Sequence, residues 1–464
     1  MPKAPPRLRS LREFLREHGG FFLLWTLLAF AFRIVFLVKF KLLTDDSFVY
    51  GDIAKNWLLH HVYGLSGQFG PEATYIRMPG YPLFLAVIWR FSGIEHYHAV
   101  LMAQIAIDVV TCFLVADLAR RIVSERAAKA AFVLTALCPF FANYAAVALT
   151  ETQSIFFAAW AMDAIVAALD EPQRRRPWVL CGLGLAGGIL LRPDGGMLLA
   201  VIGAYILVKL FLAPGTLRRN LFVGGLLAAI VALAPLIPWT IRNWRVMHVF
   251  QPLTPFYANM PNEYVPHGFN RWVRTWMIDY SSVEDVFFQV DGSSVDVDDV
   301  PRRAFDNADQ LQRTVDAFAE YDDSGNNMNP SIDAKFAELA RERIQAHPFE
   351  YYVELPFLRA ADLWLRPRTE TLPIDSHWWR YRNDPGDFAK ALALGIVNLF
   401  YLVLAGIALV KGRVRYAALF IFFALFRTAF MAWMPNPEPR YMLECYPAVL
   451  AMAGGFFADS KSKQ

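Results

Sequence analysis

Apolar runs of about twenty residues recur along this chain, and a helix of that length is what crosses the hydrocarbon core of a bilayer. They fall at 20–40, 98–119, 127–148, 151–169, 178–192, 194–212, 220–241, 388–410, 415–433 and 441–457. In lipid every backbone N–H and C=O must be satisfied within the protein, so runs of this kind become helices. The expectation is an all-α polytopic membrane protein with roughly ten spans. Composition agrees: the 464 residues are 56% hydrophobic and 19% charged, against about 25% charged in a soluble domain. The run 79–93 is shorter and opens on Pro79 and Pro82, so it is expected at the membrane surface rather than across it.

The loops set an orientation. With the N-terminus in the cytoplasm, the inside loops are Arg120–Lys129, Arg174–Arg176, Lys209–Arg219 and Lys411–Arg415, with Lys461 and Lys463 in the tail. All are basic, as the positive-inside rule requires. The basic Lys3, Arg7, Arg9, Arg12 and Arg16 precede a full-length apolar run, which argues against a cleaved signal peptide. Both termini are therefore expected in the cytoplasm of an inner (plasma) membrane protein. Three modules follow: 1–241 with an outer loop at 41–97, an extracytoplasmic segment at 242–387, and C-terminal helices at 388–464. The net charge of +3 is dispersed over these loops, so nothing points to nucleic acid. The four cysteines lie within apolar runs, without metal or disulfide spacing.

The outer ends of the spans carry a second pattern. Asp45 and Asp46 follow the first span, Arg77 stands in Arg77-Met78-Pro79-Gly80-Tyr81-Pro82, and Glu151 follows Thr150. Arg192-Pro193-Asp194, Arg242-Asn243 and Arg440-Tyr441 occupy later outer ends. Ionisable residues at a membrane are functional candidates by default. Guanidiniums clamp phosphate oxygens, and a carboxylate can take a proton or hold a metal, so this mixture suits a phosphate-bearing substrate. Val49, Ile53 and Trp57 recur every four residues after the acids, which reads as an interfacial helix; one of the two acids would then be its N-cap in the simplest reading. Arg33, Asp108, Asp163, Arg427 and Glu444 lie in or near spans and are expected to pair inside the bundle or snorkel. The glycines of Gly182-x-Gly184-x-x-Gly187-Gly188 lack a preceding strand and read as helix packing.

In order and spacing these motifs resemble a known family. They are Asp45-Asp46 with Tyr50 and Ile53-Ala54, the run Arg77 to Ala86, Thr150-Glu151-Thr152, Leu191-Arg192-Pro193, Pro238-Trp239-Thr240-Ile241-Arg242-Asn243, and Arg440-Tyr441 with Pro447. The chain resembles the GT-C glycosyltransferases of the dolichyl-phosphate-mannose-protein mannosyltransferase type, whose bacterial relatives include the lipid A aminoarabinose transferases. The resemblance implies a GT-C-like helix bundle with a mixed, mainly helical extracytoplasmic segment. It implies Asp45 as catalytic base, Asp46 and Glu151 as further catalytic carboxylates, and Arg77 on the donor phosphate with Arg242, Arg440 and Arg192. Tyr50, Tyr81, Asn243 and Tyr441 would position substrate.

The implied reaction moves a sugar from a polyprenyl-phosphate donor to a lipid, glycan or protein acceptor outside the cytoplasm. The acceptor oxygen, deprotonated by Asp45, displaces polyprenyl phosphate with inversion. Asp46 and Glu151 could share a divalent cation (Mg, Mn or Zn). Two alternatives stand beside this: a ligase or polymerase of lipid-linked oligosaccharides, and a transporter of lipid-linked sugars. Within 242–387, Ser331 is placed to cap a helix ending before Pro348, and Tyr351 to Trp364 reads as a helix lying on the membrane.

Overall fold

The structure, a computed structural model, describes residues 11–458 apart from 261, 262, 291 and 383. Lys3, Arg7, Arg9, Lys461 and Lys463 lie outside the described residues. The described chain is predominantly helical and divides into two compact units, Met1–Ala258 with Leu399–Phe423 and Leu443–Gln464, and Asn259–Asn398 with Ala424–Met442.

The first unit begins with α1 (Leu11–Glu17), α2 (Gly19–Phe40) and α3 (Asp45–His60), followed by the hairpin β1 (Gly64–Gly67) and β2 (Gly70–Ala73). Next come α4 (Gly80–Ser92), α5 (Tyr97–Ile122), α6 (Glu125–Ala136), α7 (Pro139–Ala145) and α8 (Glu151–Asp170). α9 (Arg175–Leu191), α10 (Gly196–Leu212), α11 (Gly215–Leu233) and α12 (Leu236–Met247) complete its N-terminal part. Among the described residues, six helical stretches are long and apolar enough to cross a membrane: Gly19–Phe40, Tyr97–Ile122, Glu151–Asp170, Pro193–Leu212, Gly215–Met247 and Pro385–Val410. The bent pair α6 and α7 brings the number to 7 if it is one span. This is fewer than the sequence led one to expect, and the shortfall has a physical reason. The run 178–192 became the 17-residue α9, and 441–457 became short helical turns around a 9-residue helix buried throughout. α9 is apolar because it packs inside the bundle: a Cβ on Gly184 would lie 2.8 Å from the backbone N of Ala161, and one on Gly182 would lie 2.7 Å from the Ala228 carbonyl.

The bend between α6 and α7 is 51°, and Pro139 explains it. Proline has no N–H for the carbonyl four residues back, here that of Thr135. Arg33 of α2 supplies donors instead, to the Thr135 oxygen at 3.2 Å and the Ala136 oxygen at 2.7 Å. Its Nε holds Asp108 of α5 at 2.5 Å, with both side chains fully buried. The far end of α7 then meets the start of the site, where the Leu42 N–H donates to the Ala146 carbonyl at 3.3 Å.

At the other end of these helices the basic loops are pinned by acids. Arg121 bridges Asp117 and Asp163, each at 2.8 Å, and Arg415 reaches Asp170 at 2.5 Å. Asp163 thus pairs within the bundle, as expected for an ionisable residue there.

The second unit contains α13 (His267–Val273), the single turn α14 (Tyr280–Ser282), α15 (Ala308–Asp323), α16 (Pro330–Ala346) and α17 (Leu355–Leu365). α18 (Pro385–Val410) and α19 (Ala417–Met431) each have one part in this unit and one in the first, and α20 (Tyr446–Gly454) lies in the first unit. Its core gathers Phe269, Trp272, Trp276, Phe318 and Phe336 from α13, α15, α16 and the turn after α13. Asp333 ties α16 to α13 by accepting from the Gly268 and Phe269 N–H groups at 2.9 and 2.8 Å. The cap of α16 is Asn329, which accepts from the Ser331 and Ile332 N–H groups. Ser331 is not the cap: Pro330 occupies the first helical position, and an Asn before Pro is a better start.

Candidate active site

α3 opens the site. Its N-cap is Thr44, whose side chain accepts from the Ser47 N–H while the Ser47 hydroxyl accepts from the Thr44 N–H. Neither acid caps the helix, so the simplest reading of the Asp pair does not hold. Asp45 and Asp46 instead occupy the first helical turn, where the positive end of the helix dipole favours carboxylates. Asp45 is exposed and has no ion pair among the described residues. Asp46 points to Arg77, with 2.8 Å between Oδ1 and Nη2.

The face of α3 that carries Val49, Ile53 and Trp57 packs against protein. Ile53, Val49 and Trp57 join Tyr63, Tyr75, Met78 and Trp239 in one apolar cluster. The opposite face is also covered: Asp52 accepts from the Ser66 N–H and hydroxyl, both at 2.6 Å, and Asn56 donates to the Gly64 carbonyl at 3.1 Å. The hairpin that makes these contacts is what the sequence reading left out. Its base is braced by Arg242, which donates to the carbonyls of Thr74 at 2.6 Å and Tyr63 at 2.5 Å and lies over the rings of Tyr63 and Trp239. Asn243 is fully buried and donates to the Gln251 carbonyl at 2.7 Å. These two residues hold the segment that presents Arg77.

A second charged group sits at the same end. Glu151 begins α8 and is 5% exposed; its Oε1 is 3.2 Å from Arg192, which also holds Asp194 at 3.0 Å. Arg192 caps the C-terminal end of α9, and Pro193 starts the short turn that carries Asp194. Tyr50 links the two groups. Burial pushes its hydroxyl up to about 12, Arg77 and Arg192 draw it down, and Asp46 and Glu151 push it further up, so all four charges act on one hydroxyl. Arg77 lies 5.7 Å from the centre of that ring. Tyr81 stacks edge-on against Tyr50 at 5.0 Å and donates to Gln104 Oε1 at 2.8 Å. Gln104 in turn donates to the Val147 carbonyl at 2.7 Å. Gln104 was legible only as a lone amide inside an apolar helix, a signal that sequence reasoning passed over.

The structure therefore brings together Asp45, Asp46, Tyr50, Arg77, Tyr81, Glu151 and Arg192 in the first unit. Arg440 and Tyr441 belong to the second unit, where both engage Glu438, Arg440 at 2.6 Å. As a cation site the first cluster fits poorly. Asp46 and Glu151 each already face a guanidinium, and no group of three or more His, Cys, Asp or Glu suited to a metal occurs among the described residues. No step below is routed through a metal.

A helix bundle with its ionisable cluster at the ends of the helices, and two acids opening the helix that follows the first long one, has the GT-C fold. The family described as dolichyl-phosphate-mannose-protein mannosyltransferase matches residues 77–239. Among solved structures, the oligosaccharyltransferase of Archaeoglobus fulgidus in its apo form is similar over 94% of this chain and 50% of its own, at 13% identity and a TM-score of 0.52. The oligosaccharyltransferase AglB from the same organism, in complex with an inhibitory peptide and a dolichol-phosphate, gives 12% identity, 96% and 50% coverage and a TM-score of 0.51. ArnT from Cupriavidus metallidurans, bound to undecaprenyl phosphate, is 14% identical over 94% of this chain and 77% of its own, with a TM-score of 0.42. The chain spans about half the length of the archaeal structures it matches. No curated protein matches it in sequence.

Proposed function

We propose that the protein is a membrane glycosyltransferase that moves a sugar from a polyprenyl-phosphate donor to a hydroxyl acceptor on the extracytoplasmic side. The observation that carries this reading is the exposed carboxylate of Asp45, without an ion pair among the described residues, beside the Asp46–Arg77 pair. A base must be accessible and ionised, and a phosphate ligand must be held in place before the substrate arrives. Asp45 takes the proton of the acceptor hydroxyl as its oxygen attacks the anomeric carbon. The bond to the phosphate oxygen breaks on the opposite face, and the anomeric centre inverts. Arg77 stabilises the charge that gathers on the leaving phosphate. Asp46 and the Tyr50 ring hold that guanidinium in position, while the Glu151–Arg192–Asp194 group lines the same end and orients the acceptor. A phosphate leaves without a separate acid.

The archaeal oligosaccharyltransferase in complex with a dolichol-phosphate supports a lipid-linked donor in general terms; ligase or polymerase chemistry is the second reading. A transporter would place its working charges midway through the bilayer. The deep ion pair here, Arg33–Asp108, is instead closed around the carbonyls freed by the α6–α7 bend. The test is purified protein in lipid nanodiscs with radiolabelled polyprenyl-phosphate sugars and membrane acceptors. Release of free polyprenyl phosphate with transfer of the label supports the reading; vectorial movement of intact donor without bond cleavage overturns it.

Two further outcomes follow from the same geometry. Arg77→Ala should lower kcat/KM for the donor by about 10²- to 10³-fold, the usual loss of one charge-stabilising group, and Arg77→Lys should restore only part of it because one ammonium cannot reproduce the planar fork. Steady-state kinetics with varied donor decide this. Orientation is tested by cysteine labelling, since all four native cysteines are buried. Phe69, 94% exposed at the hairpin tip, replaced by Cys should react with an impermeant maleimide in intact cells. Arg174→Cys should react only after permeabilisation; the opposite pattern reverses the topology.

A further inference from the structure

The second unit contains a group of polar atoms that its own fold leaves unsatisfied. Arg366, at the end of α17, is 7% exposed. Its Nη2 donates to the Ser376 carbonyl at 2.7 Å, but its Nε is buried without a hydrogen-bond partner among the described residues. One turn back, Asp362 Oδ1 is 3.7 Å from the same guanidinium, and Oδ2 is buried and unpartnered. Glu370 is only half-buried as a residue, yet both of its carboxylate oxygens are enclosed and unpartnered among the described residues. These groups feel one another electrostatically: Asp362 senses Arg366 and Glu370 and also accepts from the Tyr280 backbone, and Glu370 senses Arg368 first, then Arg366 and Glu438. Aromatic faces line the group, with the Arg366 guanidinium 5.4 Å from the Trp379 ring centre and 5.9 Å from that of Tyr280.

A buried polar atom left unsatisfied costs about 1–3 kcal/mol, and native folds retain few of them without a reason. Here four such atoms, one donor and three acceptors, come from side chains within nine residues of one another. Arg368, between them, donates to the Pro439 and Leu363 carbonyls and is wholly buried. The chemistry narrows the ligand. An anion would meet the carboxylates of Asp362, Glu370 and Glu438. A metal ion would meet the interleaved guanidiniums, and no three-ligand group occurs among the described residues. A ligand with several hydroxyls both donates to carboxylates and accepts from an N–H, and its C–H face packs on aromatic rings.

We propose that Asp362, Arg366 and Glu370, walled by Tyr280 and Trp379, form a saccharide-binding subsite in the second unit. Burial supports the assignment: it pushes Asp362 up to about 7, so that carboxyl can donate as well as accept near neutral pH, and it raises Glu370. That the bound saccharide is the acceptor of the transfer rests on the proposed function; the binding itself does not.

The experiment uses the full-length protein in detergent and a panel of methyl glycosides (gluco, manno, galacto, arabino and N-acetylglucosamino), read by saturation-transfer NMR and tryptophan fluorescence. At least one glycoside should bind, and Glu370→Gln and Arg366→Met should each weaken it by about tenfold or more, as expected for loss of a charged hydrogen bond. Thermal unfolding of Glu370→Gln should stay the same or rise, because the substitution removes an enclosed carboxylate without a partner; a residue kept for the fold would lower it. Absence of binding by every glycoside to the wild type, or equal binding by wild type and both variants, overturns the subsite. Cleavage of a polyprenyl-phosphate sugar is measured on the same preparations. Glycoside binding without donor cleavage sinks the proposed function and leaves the subsite standing, and cleavage without glycoside binding does the reverse.

Discussion

Asp45→Asn should reduce sugar transfer by about 10²- to 10⁴-fold, the range supplied by a positioned general base, with little change in folding. The expectation rests on how differently the two adjacent acids are used. Asp45 is exposed and carries no ion pair among the described residues, so its removal disturbs nothing but a favourable interaction with the helix N-terminus of about 0.3–1 kcal/mol. Asp46 faces Arg77 at 2.8 Å with its side chain 36% exposed, so Asp46→Asn should act through the guanidinium. Donor KM should rise, and kcat should fall less than in Asp45→Asn. The stability loss should be small, because a solvent-screened pair contributes about 0–1 kcal/mol. Asp45→Glu keeps the charge but moves it by one methylene, and should retain a measurable fraction of activity. Single-turnover transfer with saturating donor separates these cases. Wild-type rates from Asp45→Asn would remove the base from the mechanism and shift attention to Glu151.

What was legible in the sequence follows the physics of each element. The long apolar helices were readable because lipid imposes one length on them, and α2, α5 and α8 fall close to the expected limits. Short apolar helices were not, because burial in protein and burial in lipid leave the same composition; α9 and α20 look like spans for that reason. The acids and arginines of the site stood out as charges where charges are costly. Their pairing was hidden: nothing in the sequence joins Glu151 to Arg192 or Asp46 to Arg77, which are brought together by the tertiary fold across 41 and 31 positions. The hairpin was missed because its strands are four residues each and rich in glycine, with no alternation to read. That omission also concealed the role of Arg242, which looked like a phosphate ligand and is engaged by the hairpin's flanking carbonyls.

Arg33→Met should destabilise the protein by about 3–5 kcal/mol, the cost of leaving one member of a buried ion pair without its partner. Asp108→Leu should do nearly as much, since it strands the guanidinium. The instructive variant is the double one. In most buried pairs, replacing both partners by apolar side chains recovers the loss, because the desolvation of two charges is relieved together. Here Arg33 has a second duty: it donates to the Thr135 and Ala136 carbonyls that the Pro139 bend leaves short of helical partners. Arg33→Met combined with Asp108→Leu should therefore recover only part of the stability, because the Ala136 carbonyl loses its Arg33 donor in an apolar interior and Thr135 keeps only backbone donors such as the Cys138 N–H. Adding Pro139→Ala, which restores the missing N–H, should improve the double variant more than it improves the wild type. Thermal unfolding in a single detergent, followed by scanning fluorimetry, gives all the comparisons. Full recovery in the double variant would show that the pair serves only itself. Partial recovery rescued by Pro139→Ala would tie it to the bend. Because α7 ends at the segment where Ala146 accepts from Leu42, three residues before Asp45, the same variants should lower kcat while leaving donor KM unchanged.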